Sequence, residues 1–136
     1  MSTPVEWINI FTGDRDVAAD LVTARPRNPD VSPSTMREPL LRLLSDCAHH
    51  DCCPQQVDLP LPARVIDVEN LRIVTTGGQV GRFAALSYCW GHSTQTLLLT
   101  STLAKMSHHI DIDTLPQSIQ DAILVVRSIS IKYLWV

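Results

Sequence analysis

Thiol and imidazole side chains crowd into seven consecutive positions of the chain: Cys47, His49, His50, Cys52 and Cys53. These are the ligand types that zinc prefers, and Cys47, His50 and Cys53 would lie along one face of a helix. A structural zinc site normally takes further ligands from a second segment. The other candidates are Cys89, His92, His108 and His109. Because they lack C-x2-C or H-x3-H spacing, the pattern favours a buried helix end with core thiols over the alternative, a metal site, and we expect no metal and no cofactor.

A second thiol lies in the sequence Cys89-Trp90-Gly91-His92. A cysteine followed by tryptophan is similar to the context of the papain-type nucleophile, whose histidine lies well over a hundred residues downstream, farther than this chain continues. A local pair of Cys89 and His92 would need a turn that aims both groups at each other. We therefore expect Cys89 to pack at a strand end, and the catalytic residues stay unknown.

The segment TGGQVGR, residues 76–82, has the glycine content of a phosphate-binding loop. It lacks the GxxxxGK[ST] spacing, and a strand pattern rather than a helix follows it. Without a helix N-terminus there is no dipole to hold a phosphate group. The segment therefore predicts a hairpin turn.

Composition limits the classes of protein that remain. The chain has 136 residues, a net charge of −3, 45% hydrophobic residues and 18% charged residues, which is typical of a globular domain. No cluster of Lys and Arg is present, so we expect no nucleic-acid partner. The longest strongly apolar run, residues 122–126, is too short to span a bilayer. Four cysteines without a secretory signal indicate reduced thiols and a cytoplasmic location.

Three parts follow one another along the chain. Residues 1–39 form an N-terminal segment and a proline-rich linker, which we expect to be extended from residue 23 onward. Residues 40–62 contain a helix and a connection, with one broad apolar face formed by Leu40, Leu41, Leu43, Leu44 and Cys47. This helix starts either at a capping box of Thr35 and Glu38 or at Pro39. Residues 63–136 form the main domain.

The main domain alternates strand and helix patterns. Residues 63–68 and 71–76 predict strands, Gly77-Gly78 a tight turn, and residues 82–88 a returning paired strand. Residues 96–100 predict a short strand or a helix start. A helix then begins at Pro116, with an apolar face formed by Ile119, Ala122, Ile123 and Val126, and residues 131–136 predict a buried strand. The expected class is α/β, with short strands alternating with helices and an incomplete domain that ends in a strand.

Three motifs in this region occur in a recognisable order: FAALSYCWG, LPQSIQDAI and YLWV. Their order and spacing resemble the fungal heterokaryon-incompatibility (HET) family, which reads Y-x-A-L-S-Y-x-W-G, L-P-x-T-x-x-D-A-I and Y-L-W-I-D-x-x-C-I. The matching residues, called the signature residues below, are Ala85, Leu86, Ser87, Tyr88, Trp90, Gly91, Leu115, Pro116, Asp121, Ala122, Ile123, Tyr133, Leu134 and Trp135. Phe83, Ser118 and Val136 replace the usual Tyr, Thr and Ile. Upstream, the Cys/His cluster departs by one position from the family's C-x3-H-x2-C.

The resemblance covers residues 83–136 strongly and residues 40–68 weakly. It implies a role in fungal non-self recognition and programmed cell death, through protein partners or self-association. Two alternatives stay open: the N-terminal part of a TIR-like enzyme that hydrolyses NAD, and an inactive degenerate fragment. The glutamate of such an enzyme would lie beyond Val136, so no catalytic residue is transferred to this chain and we expect no activity from it alone. Trp90 and Asp121 are the residues to mutate first, although Trp90 could be a core residue and Asp121 could only favour the helix dipole.

The family pattern continues beyond Y-L-W, so the resemblance also implies a chain that ends in mid-strand. Residues 132–136 would then form an apolar strand with an exposed edge, and such edges pair with other chains. We therefore expect a marginally stable protein that associates, unless the apolar residues of its N-terminal segment cover that edge. Those residues are Trp7, Ile8, Ile10 and Phe11.

Overall fold

The computed structural model describes residues 10, 12–13, 15–22, 24–26, 29–53, 58–89 and 98–136. The chain divides into two units, Met1–Val31 and Ser32–Val136. The second unit contains three α-helices and six strands among its described residues. They are α1 (Pro33–Ala48), β1 (Leu59–Pro60), β2 (Arg64–Asp67), β3 (Arg72–Thr75), β4 (Val80–Gly81), β5 (Phe83–Ala85), α2 (Thr100–His108), α3 (Gln117–Ser128) and β6 (Tyr133–Trp135), with a 3-10 helix at Ile112–Thr114. The predicted α/β class with a final strand is confirmed.

Polar contacts around Thr12 and Arg25 organise the described part of the first unit. The Thr12 amide donates to the Ala24 carbonyl at 3.0 Å, and its hydroxyl donates to the Val22 carbonyl at 3.0 Å. The Arg25 guanidinium donates to the same Val22 carbonyl at 2.7 Å and to the Thr12 hydroxyl at 3.1 Å. The apolar side chains of Ile10, Val17 and Leu21 are exposed. Hydrogen bonds to backbone carbonyls, rather than a core, therefore hold these described residues in place.

A four-stranded mixed sheet in the order β3-β2-β6-β5 forms the centre of the second unit. β2 pairs antiparallel with β3 and with β6, whereas β5 pairs parallel with β6. β1 and β4 form a separate two-stranded antiparallel pair. β6 is thus an interior strand, and the expectation that it exposes an apolar edge is wrong.

The turn between β2 and β3 is built around a buried carboxylate. Asp67, only 1% exposed, accepts hydrogen bonds from the Glu69 amide at 3.1 Å and from the Asn70 amide at 3.1 Å. Its second oxygen accepts from the Asn70 side chain at 2.8 Å. Leu71 completes the turn with φ +49°. These bonds satisfy a carboxylate that would otherwise be costly to bury.

The Gly77-Gly78 turn is confirmed, but its predicted pairing is wrong. Gly77 and Gly78 have φ values of +60° and +84°, which glycine adopts at little cost. The strand after the turn is β4, and it pairs with β1 rather than with β3. The next strand, β5, pairs with β6 instead of returning along β3. An alternating pattern identifies a strand but does not select its partner when several strands are available.

The core lies where α3 packs on the sheet. Ile119, Ile123 and Val126 of α3 are buried, as the helical spacing predicts, and Ala122 is half-buried beside them. The other buried members of this cluster are Ile66, Val68, Ile73, Ile110, Leu115 and Leu134. Pro116 lies one residue before α3 rather than at its first position. A difference of one residue at a helix end is within the usual variation of boundary assignment.

The start of α1 differs from both sequence predictions. The helix begins at Pro33, so the second half of the linker expected to be extended is helical, and Pro39 lies inside the helix. Pro33 suits the first helical position because its fixed φ matches the helix and its missing N–H has no partner there. None of the residues of α1 is buried: Leu40, Leu41 and Leu44 are half-buried, while Leu43 and Cys47 are exposed. The predicted broad apolar face is therefore only partly covered.

Candidate functional site

The first and third signature motifs are neighbours in the sheet. In the parallel pair of β5 and β6, Phe83 is opposite Tyr133, Ala84 opposite Leu134 and Ala85 opposite Trp135. The pairing continues past the end of β5, where the Leu86 amide donates to the Trp135 carbonyl at 2.9 Å. Two motifs that are far apart in the sequence are thus joined by backbone hydrogen bonds.

The second motif reaches the same place through the residues that lead into α3. Leu115 and Ile119 are buried in the cluster that contains Leu134 of β6. The Gln120 side chain donates to the Leu115 carbonyl at 2.8 Å and fixes the start of the helix. All three motifs therefore contribute side chains to one region of the molecule, on the side of the sheet that α3 covers.

A cleft of about 540 Å³ opens at this junction of the motifs. Its described lining is Ala63, Arg64, Val65, Ile66, Ile73, Tyr88, Leu98, Leu99, Met106, Ile110, Leu115, Ile119, Leu134, Trp135 and Val136. The volume is within the range of small-ligand sites. The described lining residues carry no carboxylate, imidazole or thiol side chain, and apart from Arg64 and Tyr88 they are apolar, so they provide mainly a surface for apolar contact.

The signature residues divide into a buried and an exposed set. From Ala84 to Cys89 burial alternates along the extended chain: Ala84, Leu86 and Tyr88 pack against the core, while Ala85, Ser87 and Cys89 are exposed. Leu115 and Leu134 are buried, Pro116, Ala122 and Tyr133 are half-buried, and Asp121 and Trp135 are exposed. Trp90 and Gly91 lie outside the described residues. The motifs thus combine packing residues with residues that are free to meet solvent or a partner.

Asp121 does not occupy the first turn of α3, which contains no acidic residue. Its carboxylate accepts a hydrogen bond from the Gln117 side chain at 2.8 Å, one helical turn earlier. The expectation that it favours the helix dipole is therefore not supported, because that effect is confined to the first turn.

The Cys/His cluster is exposed, so the expectation of a buried helix end with core thiols is wrong. Cys47 lies in the last turn of α1, while His50 and Cys53 follow in the turns after it. The ligand atoms of Cys47, His50 and Cys53 all lie within 4.8 Å of one another. Partial burial, the neighbouring Cys47 thiol and the Cys52 thiol raise the pKa of Cys53. The helix ends at Ala48, inside the cluster, so these side chains meet through the turns that follow rather than along one helix face.

Among the described residues, none of the other candidate ligands joins this cluster. Cys89 is exposed after β5 instead of packing at a strand end as predicted, and His92 lies outside the described residues. His108 and His109 are exposed at the end of α2. Within residues 76–82 the turn leads into β4 rather than into a helix, as the sequence predicted. These residues therefore do not form a phosphate-binding loop.

The comparison with known proteins agrees with the motifs. Residues 83–136 match the family model described as Heterokaryon incompatibility protein (HET). The match starts at the first residue of β5 and includes all three signature motifs, so the resemblance to the HET family is confirmed over this part of the chain. No curated protein and no solved structure matches the chain. Within the described residues, none of the helices has the length and apolar character needed to span a membrane.

Proposed function

We propose that this chain acts in heterokaryon incompatibility, where a HET-type module takes part in fungal non-self recognition and triggers the death of fused cells. The observation that carries this proposal is the family match over residues 83–136. The proposed location is the cytoplasm. The proposed mode of action is contact with a protein partner or with another copy of the chain, and not catalysis by this chain alone.

The apolar cleft supports action through contact. Trp135, Val136, Leu98 and Leu99 line it and are all partly exposed, with Trp135 48% exposed. Apolar side chains left accessible beside a cleft are typical of protein-contact surfaces, where tryptophan in particular contributes much of the binding energy. Leu134, directly before Trp135, is buried and anchors this surface to the sheet.

The test is inducible expression of the protein in a fungal host, with survival measured by colony counts. We expect expression of the unchanged protein to kill most cells and Trp135→Ala to restore survival. Leu124→Ala is the matched control, because Leu124 is an exposed apolar residue of α3 that does not line the cleft, and it should kill as the unchanged protein does.

Two outcomes would contradict the proposal. Survival equal to that of uninduced cells would remove the role in cell death. Killing by Trp135→Ala at the same level as the unchanged protein would remove the cleft from the mechanism. NAD measured in the same cultures separates contact from catalysis, since depletion of NAD before cells die would indicate the enzymatic alternative.

A further inference from the structure

Three ligand atoms from one short segment converge at the end of α1. The sulfur atoms of Cys47 and Cys53 and a ring nitrogen of His50 all lie within 4.8 Å of one another. The Cys53 sulfur is 3.7 Å from His50 Nδ1. In a tetrahedral zinc site with Zn–S of about 2.3 Å and Zn–N of about 2.0–2.1 Å, neighbouring ligand atoms are about 3.5–3.8 Å apart. The trio is therefore close to the separations that zinc requires.

The backbone explains why these three positions meet. The His50 amide donates to the Cys47 carbonyl at 3.3 Å, and the Cys53 amide donates to the His50 carbonyl at 3.1 Å. Two consecutive turns of the same length thus bring every third side chain to one side. His49 is directed elsewhere, because its Nδ1 contacts the Ser45 carbonyl at 2.7 Å.

Their exposure to solvent distinguishes Cys47, His50 and Cys53 from cysteines that are packed in a core. Cys47 and His50 are exposed and Cys53 is half-buried, so an ion from solvent can reach all three ligand atoms. Core thiols would be inaccessible and would be surrounded by apolar side chains. The sequence favoured core thiols because no second ligand pair was found, but an open zinc site takes three protein ligands and completes its tetrahedron with water, so a second pair is not required.

We propose that Cys47, His50 and Cys53 bind a zinc ion through two thiolates and one imidazole, with water as the fourth ligand. Soft sulfur ligands combined with a histidine favour zinc over magnesium or calcium, which prefer oxygen. Binding deprotonates the two thiols and releases both protons to solvent, so the site carries two negative charges against the two positive charges of the ion. This proposal does not depend on the proposed role in heterokaryon incompatibility.

The experiment uses the whole 136-residue chain, reduced, stripped of metal by a chelator and titrated with zinc chloride by calorimetry. We expect one zinc per chain with a dissociation constant of about 1 µM or below at pH 7. Cys47→Ser, His50→Gln and Cys53→Ser should each weaken binding by about 100-fold or more. Cys52→Ser and His49→Gln are matched controls, because each removes the same chemical group from an adjacent position, and both should bind zinc like the unchanged protein.

Cobalt supplies a second measurement that needs no variant. Bound to two thiolates and one imidazole, Co²⁺ should give a sulfur-to-metal charge-transfer band and the intense visible bands of tetrahedral coordination. Absence of that band, a zinc content well below one per chain, or equal loss of binding in the control and ligand variants would each overturn the proposal. Far-ultraviolet circular dichroism identifies any variant that fails to fold, and the cobalt spectrum of the unchanged protein then decides.

Discussion

Helices α1 and α3 have similar apolar patterns in the sequence but lie at different depths in the fold. α3 buries Ile119, Ile123 and Val126, whereas α1 buries none of its residues. α3 contacts both β6 and α1, so it lies between the sheet and the outer helix. Helical periodicity reports that a helix has an apolar face, but the neighbouring elements decide how far that face is removed from water.

Because the two helices differ in burial, α3 contributes mainly to the stability of the fold, whereas the end of α1 presents reactive side chains to solvent. Ile119 and Ile123 of the buried face of α3 belong to the second signature motif and pack in the same cluster as Leu134 of the third. The end of α1 instead presents the thiols and imidazole of the Cys/His cluster to solvent. We therefore expect substitutions along α3 to change the free energy of unfolding much more than matched substitutions along α1.

The largest difference should come from truncating one apolar residue in each helix. Ile123 is fully buried, so Ile123→Ala should lower the free energy of unfolding by about 2–5 kcal/mol through lost burial and a residual cavity. Leu43 is 60% exposed, so Leu43→Ala should change it by less than about 0.5 kcal/mol. Urea denaturation followed by circular dichroism measures both values. Equal losses would show that α1 is buried to the same depth as α3.

A smaller difference in the free energy of unfolding is expected for one arginine of each helix whose side chain bonds a backbone carbonyl outside that helix. Arg127 of α3 donates from Nε to the Val68 carbonyl at 3.0 Å, and its Nη2 bonds the same oxygen. Arg37 of α1 donates from Nε to the Ser128 carbonyl at 2.9 Å in an exposed position. Arg127→Met should cost about 1.5–3 kcal/mol, and Arg37→Met less than about 1 kcal/mol. The same denaturation experiment tests the pair, and a greater loss for Arg37→Met would reverse the comparison.

Lowering the pH should destabilise the fold through protonation of Asp67, at the end of β2 in the sheet that α3 covers. Burial by itself raises the pKa of Asp67, but hydrogen bonds from Asn70, the Lys132 charge and the Glu69 amide outweigh it and hold the pKa below its ordinary value of 3.8. Because the folded state binds this proton more weakly, the carboxylate stabilises the fold above that value, and the contribution is lost as the pH falls through the folded pKa.

The variant Asp67→Asn should therefore destabilise the protein by about 1–2 kcal/mol at pH 7. The difference in stability between this variant and the unchanged protein should shrink in acid, where Asp67 is protonated in both the folded and the unfolded state. Asp46→Asn, on the exposed surface of α1, should change stability by less than about 0.5 kcal/mol. Thermal unfolding at pH 7 and in acid measures this, and a difference for Asp67→Asn that grows on acidification would contradict the assigned direction of the pKa.

The smallest effect concerns one serine near the end of α3 and one inside α1: Ser130, two residues beyond α3, and Ser45. Ser130 ends α3 with φ +59°, and the Ser130 and Ile131 amides donate to the Arg127 and Val126 carbonyls in a Schellman motif. Ser130→Gly should stabilise the protein by roughly 0.5–1 kcal/mol, because glycine adopts this conformation without strain. Ser45→Gly, inside α1, should destabilise it by about 0.5 kcal/mol. Thermal unfolding shows whether each variant is more or less stable than the unchanged protein. A change in the same direction for both variants would contradict the Schellman motif assigned to Ser130.

Local patterns in the sequence were sufficient to predict several elements but not their partners. The apolar spacing of α3, the β-branched residues of β2 and β3 and the Gly77-Gly78 turn are local signals, and the structure agrees with them. The parallel pairing of β5 with β6 depends on segments far apart in the chain, so no local pattern could predict it. The early start of α1 was missed because a proline such as Pro39 normally argues against a helix interior.

The candidate sites show the same limit. The signature motifs include Tyr88, Leu115, Leu134 and Trp135 of the cleft lining. They did not predict that Trp135 would be exposed and Leu134 buried, since that depends on which face of β6 is covered. The Cys/His cluster was recognised from residue types alone. Its convergence depends on two turns beyond the end of α1, and the sequence predicted a continuous helix there.

Native-state hydrogen exchange tests the central claim most directly, because it measures the paired motifs and the exposed end of α1 in one experiment. The Leu86 amide donates to the Trp135 carbonyl, and the Val68 amide donates to the Lys132 carbonyl at 3.0 Å. We expect both amides to exchange only through global unfolding, and the His50 and Cys53 amides to exchange with little protection in metal-free protein. A Leu86 amide that exchanges as fast as that of Cys53 would show that the first and third motifs are not joined, and would contradict the account.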